Sequence, residues 1–516
     1  MDYQGSINPT VSGATPPPAK RAYEGIECAF AWICVLFGYL FSRAMTKFDI
    51  KPLGILSTVI LLTAAAVVTL VIKKAKWNLH AIVSAALTVV FAASLLVTDS
   101  GFVNFWALVC SASAYCYFVY CATGNRMEKG FSDCVPADLF CALLRYPFSK
   151  LGDVYRAMFS GHAKGTKGIG RVLLGFAIAI LPTAAVIGLL SYDDGFMGLL
   201  GDAFSFLNDF DLGSQFGSVF VGLLAGMYLF GLYACAADDQ KKTYNIELAR
   251  INRQRRRVVP LLTTASALLP LCTVYVFFFI SQWDYYVSGF GGVLPEGIAT
   301  YADYARNGFF ELCTVSVINF FVLIAVSLWM RRDKKAEHVF LKIANVLLSL
   351  MTLVLIGTAM AKMMLYIDTY GLTLRRVLAS WLMILLAIVF LLIIVKQIIS
   401  RFKLISASAV ALTVMVGVLA FSNVSGRIAD YNVDMYLQDK HIDIDIHTLY
   451  QLGEPAVPAM VRLESHIRDN PEIGYIHSNL QGKLEILQRK HDDSFFAFSF
   501  TRERAEDAFE RYFEEE

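Results

Sequence analysis

LISASAVALTVMVGVLAF, residues 404–421, is eighteen residues with no charge and no proline. As a helix rising about 1.5 Å per residue it is about 27 Å long, close to the hydrocarbon thickness of a bilayer. Just before it lie Arg401 and Lys403; just after it the composition turns polar and acidic. The same alternation recurs toward the amino terminus. Apolar runs of about this length fall at 26–44, 53–72, 78–97, 102–122, 171–190, 216–235, 259–280, 310–330, 339–361 and 377–397. With 56% hydrophobic and 17% charged residues, the chain is far more apolar than a soluble protein of 516 residues. Backbone groups in lipid must bond within their own segment, so these runs read as membrane-spanning helices. The expected fold is all-α, a polytopic bundle of about eleven spans.

Orientation follows from the basic residues. Placing the amino terminus in the cytoplasm puts 25 Lys and Arg in cytoplasmic segments and 7 in the outer gaps, in keeping with the bias that governs insertion. The most basic gap, 241–257, carries Arg253, Arg255, Arg256 and Arg257, whereas 191–215 has five Asp and no basic residue. The gap 42–53, with Arg43, Lys47 and Lys51, fits this scheme least well. Residues 423–516 hold 10 basic and 19 acidic residues, so an acidic, mainly α-helical domain is expected outside. Residues 1–24, with Pro16, Pro17 and Pro18, read as a disordered cytoplasmic arm, and no cleaved signal is expected. All ten cysteines lie between Cys28 and Cys313, so the outer domain has no disulfide framework. A thiol-free outer domain is compatible with a Gram-positive or anaerobic envelope, so a bacterial plasma membrane is the expected location, with the lipid bilayer as partner and no nucleic-acid role.

Two segments are too charged to span but amphipathic enough to lie on a surface. In 136–159, Leu139, Leu143, Phe148, Leu151 and Val154 are expected to face lipid, with a break near Pro147; 196–210, FMGLLGDAFSFLNDF, is an acidic counterpart outside. From Val339 to Tyr370 the helical pattern runs on for 32 residues, about 48 Å, so this helix tilts or projects.

No nucleotide loop, metal cluster or catalytic triad of any strength is present. Candidate chemistry gathers instead at the outer ends. Ahead of the eighth span, Tyr301, Tyr304 and Glu311 share a helix face, with Arg306 offset; leaving the ninth span come Lys362, Tyr366, Tyr370, Gly371, Arg375 and Arg376; after the last span come Arg427, Asp430 and Asn432. Tyrosine rings favour the headgroup level in any membrane protein. Arginine is depleted outside, and its planar guanidinium suits phosphate or carboxylate, which singles out Arg306 and Arg376. HIDIDIH, 441–447, would place His441, Asp443, Asp445 and His447 on one face of a strand, over about 20 Å, too far apart to share one ion. No metal and no cofactor is implied. Asn319 and Asn345 are expected to hydrogen-bond between helices, and no span carries an Asp or Glu near its middle, which disfavours a proton-driven carrier.

YARNGFFEL (304–312) with Asn319, LYIDTYGLTLRR (365–376), IADYNVDMYL (428–437) and AVPAM (456–460), with LLGDAFSFL (199–207) more loosely, resemble a large bacterial group of multi-span membrane proteins, the domains of unknown function of types 4153 and 4173. The resemblance extends over roughly 130–465; Asn307 and Lys362 depart from the pattern where a basic residue and an arginine are expected. It implies a membrane protein and no particular reaction. Two functions remain open. In the first, the outer face (Tyr301, Tyr304, Arg306, Glu311, Lys362, Tyr366, Tyr370, Arg376 and Asn432) binds a lipid headgroup or cell-wall precursor for sensing, transport or scaffolding. In the second, a membrane enzyme acts on a lipid-linked phosphate, with Glu311 or Asp368 as base. The first is favoured, because the eight histidines lie away from these residues.

Overall fold

A computed structural model describes residues 23–45, 51–75, 77–128, 130, 132–160, 212–238, 255, 257–281, 301–438, 444–468, 474–490 and 494–514. It is helical throughout, and ten helices among these residues are long and apolar enough to cross a membrane. The spans are α1 (Gly25–Ala44), α2 (Pro52–Ile72), α3 (Leu79–Ala93, continued by a 3-10 turn, Ser94–Leu96), α4 (Gly101–Ala122), α8 (Leu212–Ala236), α9 (Leu261–Ser281), α10 (Tyr301–Trp329), α11 (Lys335–Tyr370), α12 (Leu374–Ile398) and α13 (Leu404–Phe421). The expected span at 171–190 and the acidic surface segment at 196–210 lie outside the described residues, as does most of 241–257. The long helix is longer than expected, 36 residues from Lys335.

Between α4 and α8 run α5 (Val135–Phe140), a π turn (Cys141–Arg145), α6 (Tyr146–Ser149) and α7 (Asp153–Ser160). Pro147 does not break this segment. It lies inside a continuous helical run just after the widened π turn, and the Leu143 carbonyl that its missing amide leaves open accepts from the Tyr228 hydroxyl (2.7 Å); the run stops three residues later, at Lys150. The apolar stripe agrees only in part: Phe148 is exposed as expected and so are Phe140 and Leu144, whereas Leu139, Leu143 and Leu151 are half-buried and Val154 is fully buried.

Helices α1 and α8 approach backbone to backbone. A Cβ on Gly38 would lie 2.5 Å from the Cβ of Ala225 and 2.8 Å from the Cα of Gly222, so only glycine fits. Gly222 and Gly226 are four apart on α8, the small-residue spacing that lets apolar helices associate where lipid offers no hydrophobic drive. One core joins α1, α2, α4, α7 and α8. A second joins α9 to α12. Val103 and Ala107 of α4 meet Leu419 and Ala420 of α13 at the seam.

Contacts between connecting segments sort the helix ends into two sets. At one end Tyr23 donates to Asp153 (2.6 Å), Asn125 to the Ala236 carbonyl (2.7 Å), and the Ile405 amide to Asp133 (3.1 Å). At the other end Ser42 meets Ser218 (3.4 Å), Lys51 donates to Ser494 (3.3 Å), and a Cβ on Gly453 would lie 3.7 Å from Asp99. The polar tail belongs to this second end. There α14 (Val424–Leu437), α15 (Ile446–Gln451), α16 (Val457–Ile467), α17 (Gly474–Lys490) and α18 (Phe500–Glu514) close round Val433, Leu449, Met460, Leu463, Leu484 and Phe509. Glu464, fully buried, is gripped by both Arg468 nitrogens (3.2 and 3.1 Å) and by His477 (2.8 Å). The strand considered for 441–447 is not formed over its described part. Asp445 caps α15, accepting from the amides of His447 (2.9 Å) and Thr448 (3.2 Å), which puts His447 on a helix; His441 and Asp443 lie outside the described residues.

Candidate functional site

The long helix α11 ends because Gly371 follows Tyr370 with φ +72°, a conformation that costs other residues about 1 kcal/mol or more. The next residue is held from across the fold. Asn432 of α14 accepts the Leu372 amide at 2.6 Å and donates to the Leu372 carbonyl at 2.9 Å, so one side-chain amide pairs with both backbone groups. A Cβ on Gly371 would sit 2.5 Å from the same Asn432 oxygen, which closes the position to larger residues. Thr373 then caps α12, accepting from the Arg376 amide (3.4 Å). The stretches 365–376 and 428–437, separate in sequence, are thus one joint in space.

Arg376 turns back over this joint. Its Nη1 donates to the Tyr370 carbonyl (2.9 Å) and to the Gly371 carbonyl, two groups left open by the helix end, while its guanidinium lies 4.0 Å from the centre of the Tyr366 ring. Tyr366 and Tyr370 meet edge to face, 5.3 Å between centres. Both hydrogen bonds run through one nitrogen, so among the described residues Nε and Nη2 have no hydrogen-bond acceptor. Lys362 lies one turn before Tyr366 and interacts electrostatically with Glu311 of α10. Burial, joined by the nearby Asp368 carboxylate, pushes the Tyr431 phenol upward, so Asp368 borders the same joint. Arg462 of α16 spans Asp434 (2.8 Å) and Asp430 (3.5 Å).

Of the residues singled out in the sequence, Tyr366, Tyr370, Arg376 and Asn432 come together, with Glu311 and Lys362 alongside. Tyr301, Tyr304 and Arg306 belong to the first turns of α10, but their side chains lie outside what the structure describes. Asn319 and Asn345 do not meet. Asn319, fully buried, accepts from Tyr275 of α9 (2.5 Å) and donates to Thr352 of α11 (2.9 Å), tying three helices; the buried Asn345 oxygen has no hydrogen-bond partner among the described residues.

A second polar cluster, at the opposite end, escaped sequence reasoning. Asp138 of α5 is buried; one carboxyl oxygen accepts from the Tyr120 hydroxyl (3.2 Å) and the Met127 amide (3.3 Å), and the other has no partner among the described residues. Burial pushes its carboxyl above the usual range, against the pull of those two donors and of Arg126. Burial likewise raises the Tyr146 phenol to about 12 and the Cys141 thiol above its ordinary value, so neither is an activated nucleophile. The only hint in the sequence was an acid four residues after Cys134, on a segment already read as interfacial.

A family model described as Domain of unknown function (DUF4153) matches residues 85–463, a span that contains both sides of the Leu372–Asn432 joint, Arg376 and Asp138. Comparison with curated proteins and with solved structures found no match.

Proposed function

The chain belongs to the DUF4153 family and is an integral membrane protein, and on that footing we propose that it binds an anionic envelope ligand, a lipid headgroup or cell-wall precursor, at the end of the bundle that carries the tail. In this reading that end faces outward from a bacterial plasma membrane, the amino terminus is cytoplasmic, and binding serves sensing, transport or scaffolding. The observation that carries the proposal is the half-engaged guanidinium of Arg376. One nitrogen is tied to the carbonyls of Tyr370 and Gly371 and the face is stacked on Tyr366, so the other edge is held in a fixed direction with its donors available. A preorganised fork of this kind suits a phosphate or carboxylate and loses little entropy on engaging it. Exposed Tyr370 and the neighbouring Lys362 extend the rim. The basic residues concentrated in the opposite gaps support the orientation.

The test uses the full chain in nanodiscs of phosphatidylglycerol or phosphatidylcholine, with bound lipid counted by native mass spectrometry. Arg376→Ala removes both a helix cap and the proposed contact, so Asn432→Ala serves as comparison: it loosens the same joint and leaves the charge in place. A charge-assisted contact contributes about 1.5–3 kcal/mol, so retention of the anionic lipid falls at least tenfold in Arg376→Ala and stays near the wild-type level in Asn432→Ala. Equal retention in wild type and Arg376→Ala rules the site out.

A further inference from the structure

The stretch Ser494–Phe500, SFFAFSF, lies beyond the family match and has an exposure pattern unlike the rest of the tail. Phe495 is 75% exposed, Phe496 55%, Phe500 48% and Phe498 37%, while Ala497 and Ser499 between them are buried. At about 200 Å² for a whole phenylalanine, the four expose about 400 Å² of apolar surface within seven residues, the size of the largest apolar patch on an ordinary monomer, which is often a functional one. The loop is also held rigidly from behind. Arg502 donates to the Ala497 carbonyl (3.1 Å) and pairs with Glu454 (3.1 Å), and the Ala497 amide closes a tight turn on Ser494 (2.8 Å). The rings pair edge to face, Phe495 with Phe496 at 5.6 Å and Phe498 with Phe500 at 5.7 Å.

What covers this surface follows from where the loop sits. Ser494 accepts from Lys51, the residue just before α2, and Phe496 packs on Gly54, whose Cβ, if present, would lie 3.6 Å from that of Phe496. Helix α2 has 21 residues, about 31 Å, so it fits the hydrocarbon layer with little to spare and Lys51 marks the headgroup level. Gly54 is three residues further in, about 4–5 Å deeper along the axis. A Phe ring beside Gly54 therefore lies at the junction of headgroups and acyl chains, the depth that aromatic side chains favour.

The geometry points to the Phe495–Phe500 loop as a membrane-docking wedge by which the tail domain inserts aromatic rings into the lipid leaflet beside the start of α2. Lys51 adds to it, its ammonium held near the phosphates by Ser494. The wedge then adds an anchorage in lipid to the contacts that already hold the tail to the bundle, those of Asn432 with Leu372, Ser494 with Lys51 and Phe496 with Gly54. A ligand at Arg376 is not required for any of these.

The test places the photo-crosslinker p-benzoylphenylalanine at position 495 of the full chain in phosphatidylglycerol–phosphatidylethanolamine liposomes, with a second probe at 498 and a control at Arg489, whose side chain is 81% exposed on α17. After irradiation, intact-mass measurement shows lipid adducts at 495 and 498 at least fivefold above those at 489. Adducts equal at all three positions, no adduct at any, or adducts at 495 only to a protein, including a second copy of the chain, overturn the inference.

Discussion

Replacing Asn432 with alanine tests whether the joint between α11 and α14 is a structural clamp. The side chain makes two hydrogen bonds, to the Leu372 amide and carbonyl, at 2.6 and 2.9 Å. Each is worth about 1 kcal/mol net, and a backbone group left partly buried without a partner costs more, so the loss is about 2–3 kcal/mol. Hydrogen exchange reads it locally. If the Leu372 amide exchanges by opening of this joint, its rate rises roughly 30- to 150-fold, at tenfold per 1.4 kcal/mol. Peptides covering 366–376 and 424–437 in nanodiscs would report it, with α1 peptides unchanged. Asn432→Asp is expected to be worse than alanine at neutral pH, since a carboxylate oxygen then faces the Leu372 carbonyl. That carbonyl raises the folded-state pKa of the new acid. Its protonated form, which restores a donor, is therefore stabilising at low pH, and this benefit is lost as pH rises through the folded value. Exchange at 366–376 within threefold of wild type in Asn432→Ala would refute the clamp.

Asp138→Asn keeps an acceptor for Tyr120 and Met127 and removes a buried charge. Because burial raises the Asp138 pKa, its proton stabilises the fold below the unfolded value of about 3.9 and this contribution is lost as pH rises through the folded value. The substitution should raise Tm at neutral pH and flatten the fall of Tm as pH rises above about 4; a Tm lower than wild type at pH 7 would contradict this. Glu464→Ala removes the carboxylate that Arg468 and His477 of the tail share, and with Arg468 partly solvated and still over the Tyr512 ring the cost is about 2–4 kcal/mol. Urea unfolding followed by limited proteolysis of the tail should show it, with the bundle still intact. Asn319→Val removes a link among α9, α10 and α11, yet such bonds average only about 0.6 kcal/mol in membranes and Thr352 keeps its bond to the Leu348 carbonyl. A Tm change of only a few degrees is expected, and wholesale misfolding would contradict it.

The ten spans among the described residues were legible because about twenty apolar residues in succession have few other fates. The surface segment at 136–159 was legible in kind but not in detail. A π turn at Cys141–Arg145 has no mark in composition, and Val154 is buried by helices distant in sequence, which a single stretch does not reveal. At the joint, Gly371 as a helix stop could be read locally. Asn432 was recognisable as a polar residue near the boundary, but its work is done on Leu372, sixty residues away, and pairing at that distance leaves no trace in one sequence. Asp138 was missed although its partners are close in sequence, since Tyr120 and Met127 reach it only through the turn between α4 and α5, which no local pattern announces. The alternation in 441–447 suits a half-buried strand and a capped helix start equally, and Asp445 decides between them by taking two amides of the next turn.

The most direct measurement is side-specific labelling of single added cysteines with a membrane-impermeant maleimide in intact cells. The ten native cysteines are buried or partly buried, which keeps the background low. Arg489→Cys, on the tail, should label in intact cells, and Arg156→Cys, at the opposite end, only after lysis. Labelling of position 156 but not 489 in intact cells would turn the protein over and remove Arg376 from any envelope ligand.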